Sequence, residues 1–440
     1  MRTTTVRAAC ALAAALLAGA AAPAAQARPV PAPAGGGTVR VNVSPDGAPA
    51  DDWSEPLGLS ADGRYALFTS LASNLVPGDT NRLYDVFVRD LWTRHTERVS
   101  LADDGTQLDG SSSQAAISAD GRYVAFTSDA ANAVPGHGAG RTDVYLRDRR
   151  TGRTELLTAG SGVGNSVAPA ISADGRFVAY SSDRTDLAPG ARTGTANIYL
   201  TDRRAGTTRL VTTGQGGVPA DGGSVEPSLS ADGRTVAFRS KAANLLPAPG
   251  PTAPTAPAAP AAPAASDTPT ASSAPKPPPA RQLFPLYVYD DRTGRIEGAS
   301  TDPGGALRDA ARQGRVSPDG RYALYRVFEP VPEGSRVALR ARDLRTGEVT
   351  EVAPVGTHPA VMTMDDRWVY FASDDAGLVP GAGALPAVFR RDLRTGLVEP
   401  VAEGVGPSPQ PAVDAFGTTL LYGALEGTRA DVLVRYLPPR

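Results

Sequence analysis

One short phrase, Ser-x-Asp-Gly-Arg followed by an apolar run, recurs along the chain and constrains the fold more than any other feature. Recurrence at a regular period is typical of folds that stack copies of one unit. Asp-Gly between two apolar runs predicts a tight hairpin, because glycine accepts the positive φ that such a turn needs. Five clear copies occupy residues 59–68, 117–126, 171–180, 229–238 and 316–325, and two degenerate copies occupy residues 365–371 and 413–422.

A second phrase, with an apolar run before Asp-x-x-Thr-Gly in its fullest copies, follows each copy of the first. Its aspartate can hold the amides of a second turn. The order of elements predicted for each unit is therefore a strand, the Asp-Gly turn, a strand, a loop, a strand, the second turn and a last strand. That order is a four-stranded antiparallel meander, the blade of a β-propeller. The second phrase occupies residues 85–93, 143–152, 197–202, 286–294, 337–347, 388–396 and 431–436.

The number of units and the chain ends predict how the ring closes. The last unit provides only three strands, and residues 39–44 provide a spare strand before the first Asp-Gly turn. We expect this N-terminal strand to complete the C-terminal blade and remove a free sheet edge. The prediction is an all-β, seven-bladed propeller over residues 39–440 with an N-terminal strand latch. The alternative is a six-bladed propeller, if one of the two degenerate copies does not form a blade.

Two segments fall outside this pattern. Residues 1–27 have an arginine-containing start, an apolar run and an Ala-Gln-Ala site, which together predict a secretory signal peptide that is cleaved after Ala27. The one cysteine, Cys10, lies within that run and would be removed with it. Residues 28–38 are expected to be a flexible N-terminus. Residues 247–281 are rich in Pro and Ala and predict a disordered insertion within blade four.

The two phrases resemble the repeat of the TolB-type propellers, a WD-repeat-like bacterial family. The loop at residues 73–81, Ser-Asn-Leu-Val-Pro-Gly-Asp-Thr-Asn, resembles a variant that is common in exported bacterial proteins. The resemblance covers roughly residues 39–436 and implies a propeller fold. TolB itself has six blades and an additional N-terminal α/β domain. Because the first strand follows soon after Ala27, we expect this chain to lack that domain.

A ring of polar residues is predicted at one mouth of the central channel. The strand before each Asp-Gly turn should be the innermost strand, and polar side chains stand near its start in most units. The functional interpretation is a polar ligand or peptide bound at the mouth, and the alternative is a hydrated rim. The candidate ligand-binding residues are Glu55, Gln114, Glu226, Gln313, His358 and Gln410.

Two other groups of residues invite a functional interpretation. Asp79, Asn81 and Asp85 provide oxygen atoms at spacings that resemble the start of a calcium loop, although the glycine and the closing glutamate are missing. A solvated turn is the alternative. The aspartates of the second phrase are expected to hold turns, and the arginines before them, such as Arg89 and Arg147, are expected to lie on a solvent face beside carboxylates.

These observations favour an extracellular binding or scaffolding module for a protein, a peptide or a glycan, with no cofactor other than calcium. A formal charge of −2 argues against a nucleic-acid partner. After the signal there is no apolar segment long enough to span a membrane, and we expect a monomer. No catalytic motif is recognised. The alternative is an extracellular glycosidase or lyase that uses the carboxylates of Glu55 and Glu226 at the channel mouth.

Overall fold

The computed structural model describes residues 37–135, 140–247, 284–302, 305–312, 314–331, 334–356, 358–381, 383–406, 409–427 and 429–438. The predicted signal peptide, all but the last two residues of the predicted flexible N-terminus, and all of the predicted insertion except Pro247 lie outside these ranges. Gln313, one of the candidate mouth residues, lies outside them as well. Within the described ranges, none of the helical structure is long and apolar enough to span a membrane.

Seven four-stranded antiparallel sheets form the seven blades, as predicted. The strands of blades one to three are β2 (Ser54–Leu59), β3 (Tyr65–Ser70), β4 (Asp85–Asp90) and β5 (His95–Arg98); β6 (Ser112–Ile117), β7 (Tyr123–Ser128), β8 (Asp143–Asp148) and β9 (Arg153–Leu156); and β10 (Ser166–Ile171), β11 (Phe177–Ser182), β12 (Asn197–Asp202) and β13 (Thr207–Leu210). A 3₁₀ turn, Gln215–Gly217, follows the third blade.

The remaining blades repeat this order, with longer hairpins in blades five and seven. Their strands are β14 (Ser224–Leu229), β15 (Thr235–Ser240), β16 (Leu286–Asp290) and β17 (Arg295–Gly298); β18 (Arg315–Val316), β19 (Tyr322–Val331), β20 (Gly334–Asp343) and β21 (Val349–Ala353); β22 (Val361–Met362), β23 (Trp368–Ser373), β24 (Ala387–Asp392) and β25 (Val398–Ala402); and β26 (Ala412–Val413), β27 (Thr419–Glu426) and β28 (Arg429–Tyr436), with β1 (Thr38–Arg40) as the outer strand of blade seven.

The predicted latch closes the ring. Val39 lies opposite Val434 in an antiparallel pair between β1 and β28, and the amide of Val41 donates a 2.8 Å hydrogen bond to the carbonyl of Val432. The buried side chain of Asn42 donates to Asp431 at 3.0 Å. The first residues of the described chain therefore hold the last blade, and the outer edge of that blade is covered.

The Asp-Gly phrase forms the turn that its sequence predicts. In blade one the Ser60 hydroxyl accepts a hydrogen bond from the amide of Tyr65 at 2.9 Å and donates to Asp62 at 2.5 Å. Gly63 has a φ of 69°. Serine, aspartate and glycine thus each satisfy one requirement of the turn. The same serine-to-aspartate contact recurs at Ser118, Ser172, Ser230 and Ser317.

Aromatic pairs form the centre of most blades. Five blades place one aromatic ring on their second strand directly opposite another on their third strand, and the ring centroids lie 5.6–5.9 Å apart. Such cross-strand pairs stabilise a sheet beyond the area they bury. The hydrophobic clusters span neighbouring blades, so each blade completes its core only against the next one. The pairs are Phe68–Phe87, Phe126–Tyr145, Tyr180–Tyr199, Phe238–Tyr287 and Phe371–Phe389.

The aspartates of the second phrase hold turns, as predicted, and they also bind the arginine of the first phrase. Asp148 accepts hydrogen bonds from the amide of Arg150 at 3.0 Å and from Arg122 at 2.7 Å. The Arg122 guanidinium lowers the pKa of the Asp148 carboxyl to about 2. Equivalent ion pairs join the two turns of other blades, namely Arg64–Asp90, Arg176–Asp202, Arg321–Asp343 and Arg367–Asp392.

The expectation for the arginines that precede these aspartates is wrong. Arg89 and Arg147 are buried, and their guanidinium groups donate to the hydroxyls of Thr96 and Thr154 rather than to carboxylates on a solvent face. Arg147 also donates to the carbonyl of Ala102 at 3.1 Å. Arg147 thus faces the preceding blade, where backbone carbonyls need donors. Arg342 and Arg391 likewise donate to the carbonyls of Gly298 and Val352.

Candidate functional site

The channel mouth is built from the first strand of each blade. First strands of successive blades contact one another around the axis, as in β6, β10 and β14. These three strands and β2 of blade one each carry a β-bulge, at which the pairing register shifts. Bulges of this kind redirect side chains and are common next to functional sites.

Three predicted mouth residues lie in a left-handed backbone conformation. Gln114 has a φ of 43°, Glu226 of 57° and Gln410 of 34°, and Ala168 at the equivalent place in blade three has a φ of 55°. Such conformations cost about 1–3 kcal/mol for a residue other than glycine, and they are concentrated at functional sites. The first strands therefore carry strain at the position where the sequence predicted a ligand.

Specific contacts hold the mouth side chains in place. The Gln114 side chain accepts a 2.9 Å hydrogen bond from the amide of Ala168 and thereby joins blades two and three. Glu55 accepts a 3.1 Å hydrogen bond from the indole of Trp53. Glu226 forms an ion pair with Arg239 at 3.2 Å. The structure thus places these three residues in separate contacts within the ring.

The charge of Arg326 interacts electrostatically with both Glu226 and His358. Burial lowers the pKa of His358, and the positive charge of Arg326 lowers it further. Burial also lowers the pKa of Arg326, Glu226 opposes that effect, and Arg239 adds to it. Glu55 lies on blade one, where its charge raises the pKa of Tyr84 in addition to the larger effect of burial. Glu226 and His358 therefore both act on, or respond to, the charge of Arg326, and Glu55 lies on a different blade.

Sequence reasoning missed Arg239 and Arg326, although the repeat contains a signal for them. Each follows the aromatic residue of the second strand, at the place where blades one to three have Thr69, Thr127 and Ser181. A charged residue at a hydroxyl position departs from the repeat. That departure could have identified both arginines.

A cavity of about 450 Å³ opens beside these arginines, at the junction of blades four and five. Arg239 lies over the ring of Phe284, with its guanidinium carbon 4.0 Å from the ring centroid, and Lys241 lies 5.5 Å from the same centroid. A larger space of about 680 Å³ runs along the outer strand of blade four, away from the channel. The lining of the smaller cavity includes Arg239, Lys241, Phe284, Asp309, Arg312 and Arg326.

The three residues predicted to bind calcium do lie close together. Asp79 and Asp85 each contact the guanidinium of Arg98 at 3.3 Å, and Asn81 donates to Asp85 at 3.3 Å. The fully buried carboxyl of Asp85 also accepts a hydrogen bond from Ser100 at 2.5 Å. A calcium ion here would compete with Arg98 for both carboxylates. Among the residues the structure describes, no group of three or more acidic, histidine or cysteine residues could hold a metal ion.

The fold and the mouth define a seven-bladed β-propeller, and the propeller fold that the resemblance implied is confirmed. No protein-family model and no curated protein matches the chain. Oligogalacturonate lyase from Vibrio parahaemolyticus aligns at a TM-score of 0.57 with 11% identity, over 91% of this chain and 93% of its own. An oligogalacturonate lyase in complex with manganese gives the same TM-score and coverage at 13% identity. TolB from Acinetobacter baumannii aligns at 0.39 with 13% identity, over 86% and 82%. At these identities the likeness concerns the fold alone.

Proposed function

We propose that this chain is an exported propeller that binds an extracellular protein, peptide or glycan at the channel mouth. The observation that carries the proposal is the set of left-handed mouth residues Gln114, Glu226 and Gln410, since such strain persists where a precise side-chain position matters. Export rests on the signal-like residues 1–27. A rigid ring with strained polar groups at its opening is suited to holding a ligand.

A binding comparison tests this function. The chain from residue 28 onward would be screened against immobilised glycans and peptides and then compared with the double variant Gln114→Asn, Glu226→Gln. Asparagine tolerates the left-handed backbone, so the fold should be retained. We expect any ligand found to bind the double variant at least tenfold more weakly. Glu348→Gln, in an exposed turn of blade five, is the control. Unchanged affinity in the double variant would place the ligand elsewhere and overturn the proposal.

A second candidate function, an extracellular glycosidase or lyase, is favoured by the charged residues at the mouth. The Glu226 carboxylate forms an ion pair with Arg239, and the charge of Arg326 acts on both Glu226 and His358. In a lyase, a base removes the proton next to a sugar carboxylate, and nearby cations stabilise the charge that develops. The two aligned structures named as oligogalacturonate lyases make oligogalacturonates the first substrates to try. A glycosidase would instead need two carboxylates roughly 5–10 Å apart.

The enzyme hypothesis has its own assay. The wild-type chain, Glu55→Gln and Glu226→Gln would be incubated with oligogalacturonates, and the unsaturated product would be followed by its ultraviolet absorbance. If Glu226 acts as the base, its replacement should reduce the rate by about 100-fold or more, whereas Glu55→Gln should change it little. Activity that survives both replacements would exclude a mechanism based on these carboxylates.

A further inference from the structure

The cavity between blades four and five concentrates positive charge on a chain whose formal net charge is −2. Four basic side chains reach it, namely Arg239, Lys241, Arg312 and Arg326. Two carboxylates, those of Asp309 and Glu226, stand beside them. The local excess of two positive charges distinguishes this surface from the nearly neutral whole molecule, and a cleft of one sign attracts ligands of the other.

Both carboxylates are engaged within the protein. Asp309 accepts a 3.0 Å hydrogen bond from the amide of Phe284 and so fixes the segment that enters blade four. Glu226 is held by its ion pair with Arg239. They therefore shape the cavity and neutralise only part of its charge.

The arginines are also held in position. The Arg326 guanidinium donates to the carbonyl of Arg312 at 3.1 Å, and Arg239 stacks over Phe284. Burial disfavours the charged form of Arg326, and the charge of Arg239 disfavours it further. A bound oxyanion would offset both effects, and guanidinium groups form strong paired hydrogen bonds with carboxylates.

Apolar surface adjoins these cations. Ala310, Ala311 and Val337 line the same cavity, and Phe328 on the blade-five hairpin is 45% exposed. The volume falls within the range of about 300–1,000 Å³ that is usual for small-molecule sites. An apolar wall beside fixed cations fits a ring-shaped ligand that carries a carboxylate, because the carbon face of a sugar ring can lie on the wall while its carboxylate meets the guanidinium groups.

We propose that this cavity binds an acidic sugar, a uronate, as the anionic part of a glycan held at the mouth. The inference rests on the proposed binding function and specifies its ligand class. Lys241 and Arg312 are exposed at the rim and attract the carboxylate, whereas Arg239 and Arg326 orient it. Association should weaken as the salt concentration rises, because exposed charges are screened.

Calorimetric titration with four probes tests the inference. The probes are trigalacturonate, a neutral galactose trisaccharide, triglutamate and inorganic sulfate. We expect trigalacturonate to bind at least tenfold more tightly than each of the others. Lys241→Met and Arg312→Gln should each weaken that binding by about tenfold, with an unchanged melting temperature because both side chains are exposed. Arg153→Gln is the matched control, since it removes an arginine that is 76% exposed on blade two, far from the cavity.

The other outcomes each overturn the inference, and they separate it from the proposed function. Tighter binding of triglutamate would identify an acidic-peptide site. Sulfate binding equal to that of trigalacturonate would identify a site for inorganic anions. The neutral trisaccharide could bind the Lys241→Met and Arg312→Gln variants as tightly as it binds the wild-type chain. The protein would then bind a glycan without using an anion site. If no probe binds, the uronate inference fails, and the comparison of the Gln114 and Glu226 variants still decides whether the mouth binds a ligand.

Discussion

At the scale of single residues, the glycine of the Asp-Gly turn meets two requirements. Gly121 has a φ of 72°, and a β-carbon at this position would overlap the ring of Tyr65 from the preceding blade. Gly175 stands in the same relation to Tyr123, and Gly233 to Phe177. The guanidinium of Arg149 lies 4.4 Å from the centroid of the Tyr65 ring, so the ring contacts both this guanidinium and the glycine of the next blade. A turn residue thereby becomes an inter-blade contact.

Gly121→Ala should destabilise the fold more than Gly206→Ala. Gly206 has a similar φ of 65° but nothing within 4 Å of the added carbon. The strained backbone alone should cost about 1 kcal/mol at Gly206, and overlap with Tyr65 should add about 2 kcal/mol at Gly121. Urea unfolding of both variants gives the comparison. Equal losses would show that the ring moves aside without cost.

Blade six has an aspartate where the other blades have this glycine. Asp366 has a φ of 56°, and burial together with the neighbouring Asp319 of blade five raises the pKa of its carboxyl to about 7. The pKa of Asp319 is lowered, since the protonated partner donates a hydrogen bond to it, although burial acts in the opposite direction. The two carboxyl groups, from adjacent blades, thus shift each other's pKa in opposite directions.

This carboxyl pair makes stability depend on pH. The folded pKa of Asp366 is about 7 and its unfolded value is near 3.8, so the folded state holds more protons between these values. The contribution of Asp366 to stability is therefore greatest at low pH and is lost as the pH rises from about 4 through 7. Asp366→Asn retains the backbone but cannot titrate. We expect the wild-type chain to lose more stability than this variant between pH 5 and pH 8, measured by urea unfolding. An identical loss in both would refute the assignment.

At the scale of strands and loops, the latch decides whether the ring stays closed. Val41 and Asn42 are fully buried, and Asn42 bonds to Asp431 across the closure. The short strand β1 pairs with the last blade, and the buried residues that follow it anchor the chain there, so an open sheet edge becomes a paired one.

A chain shortened to begin at Pro45 should be much less stable. Loss of the buried Val41 side chain alone should cost about 2 kcal/mol. The lost strand hydrogen bonds should cost about 1 kcal/mol each. Deletion of residues 250–280 is the control, and we expect it to change the unfolding free energy by less than about 1 kcal/mol because the sequence predicts a disordered insertion there, whose removal changes chiefly loop entropy. Thermal unfolding measures both. A harmless latch deletion would contradict ring closure by this strand.

The loop of blade one has two interpretations that an experiment can distinguish, a calcium site and an internal ion pair. Arg98 contacts both Asp79 and Asp85. Because Arg98 supplies the positive charge that these carboxylates need, a chelator should leave the melting temperature unchanged, whereas Arg98→Met should lower it by several degrees. A fall in melting temperature on chelation, restored by added calcium, would instead support the metal site.

At the scale of the whole molecule, the Asp-Gly turns form a ring of backbone hydrogen bonds around one end of the channel. Ala61 donates to the carbonyl of Ala119, and the same link runs from Ala119 to Ala173 and onward. Six such links are formed. The seventh cannot form, because Pro318 accepts from Ala231 but has no amide hydrogen to donate to Met364. The carboxyl pair of Asp319 and Asp366 lies beside this gap.

Pro318→Ala should complete the ring. The new amide would donate to the carbonyl of Met364, as the alanines of other blades do to their neighbours. The gain of about 1 kcal/mol from the bond should be offset by the greater flexibility of the unfolded chain. Hydrogen exchange is therefore the better measurement. We expect the amide of the substituted residue to be protected as strongly as that of Ala119, and rapid exchange would show that the gap persists.

The local pattern of the sequence determined most of the fold. Strand, turn and strand are decided by residues adjacent in the chain, so Ser60, Asp62 and Gly63 predict their hairpin without knowledge of anything distant. The repeat then determined the number of blades, and the spare strand determined the latch. The turn-holding role of Asp148 followed from its position for the same reason.

Only the tertiary structure decided which side chains meet between blades. Glu226 and His358 stand in different repeats, and their common electrostatic interaction with Arg326 depends on how the blades are arranged around the axis. The burial of Arg147 against Ala102 depends on which face of its strand the preceding blade covers. Local propensity contains no information on that packing. The sequence by itself therefore determined the ring, and the packing of blade five against blade four determined the basic cavity beside its mouth.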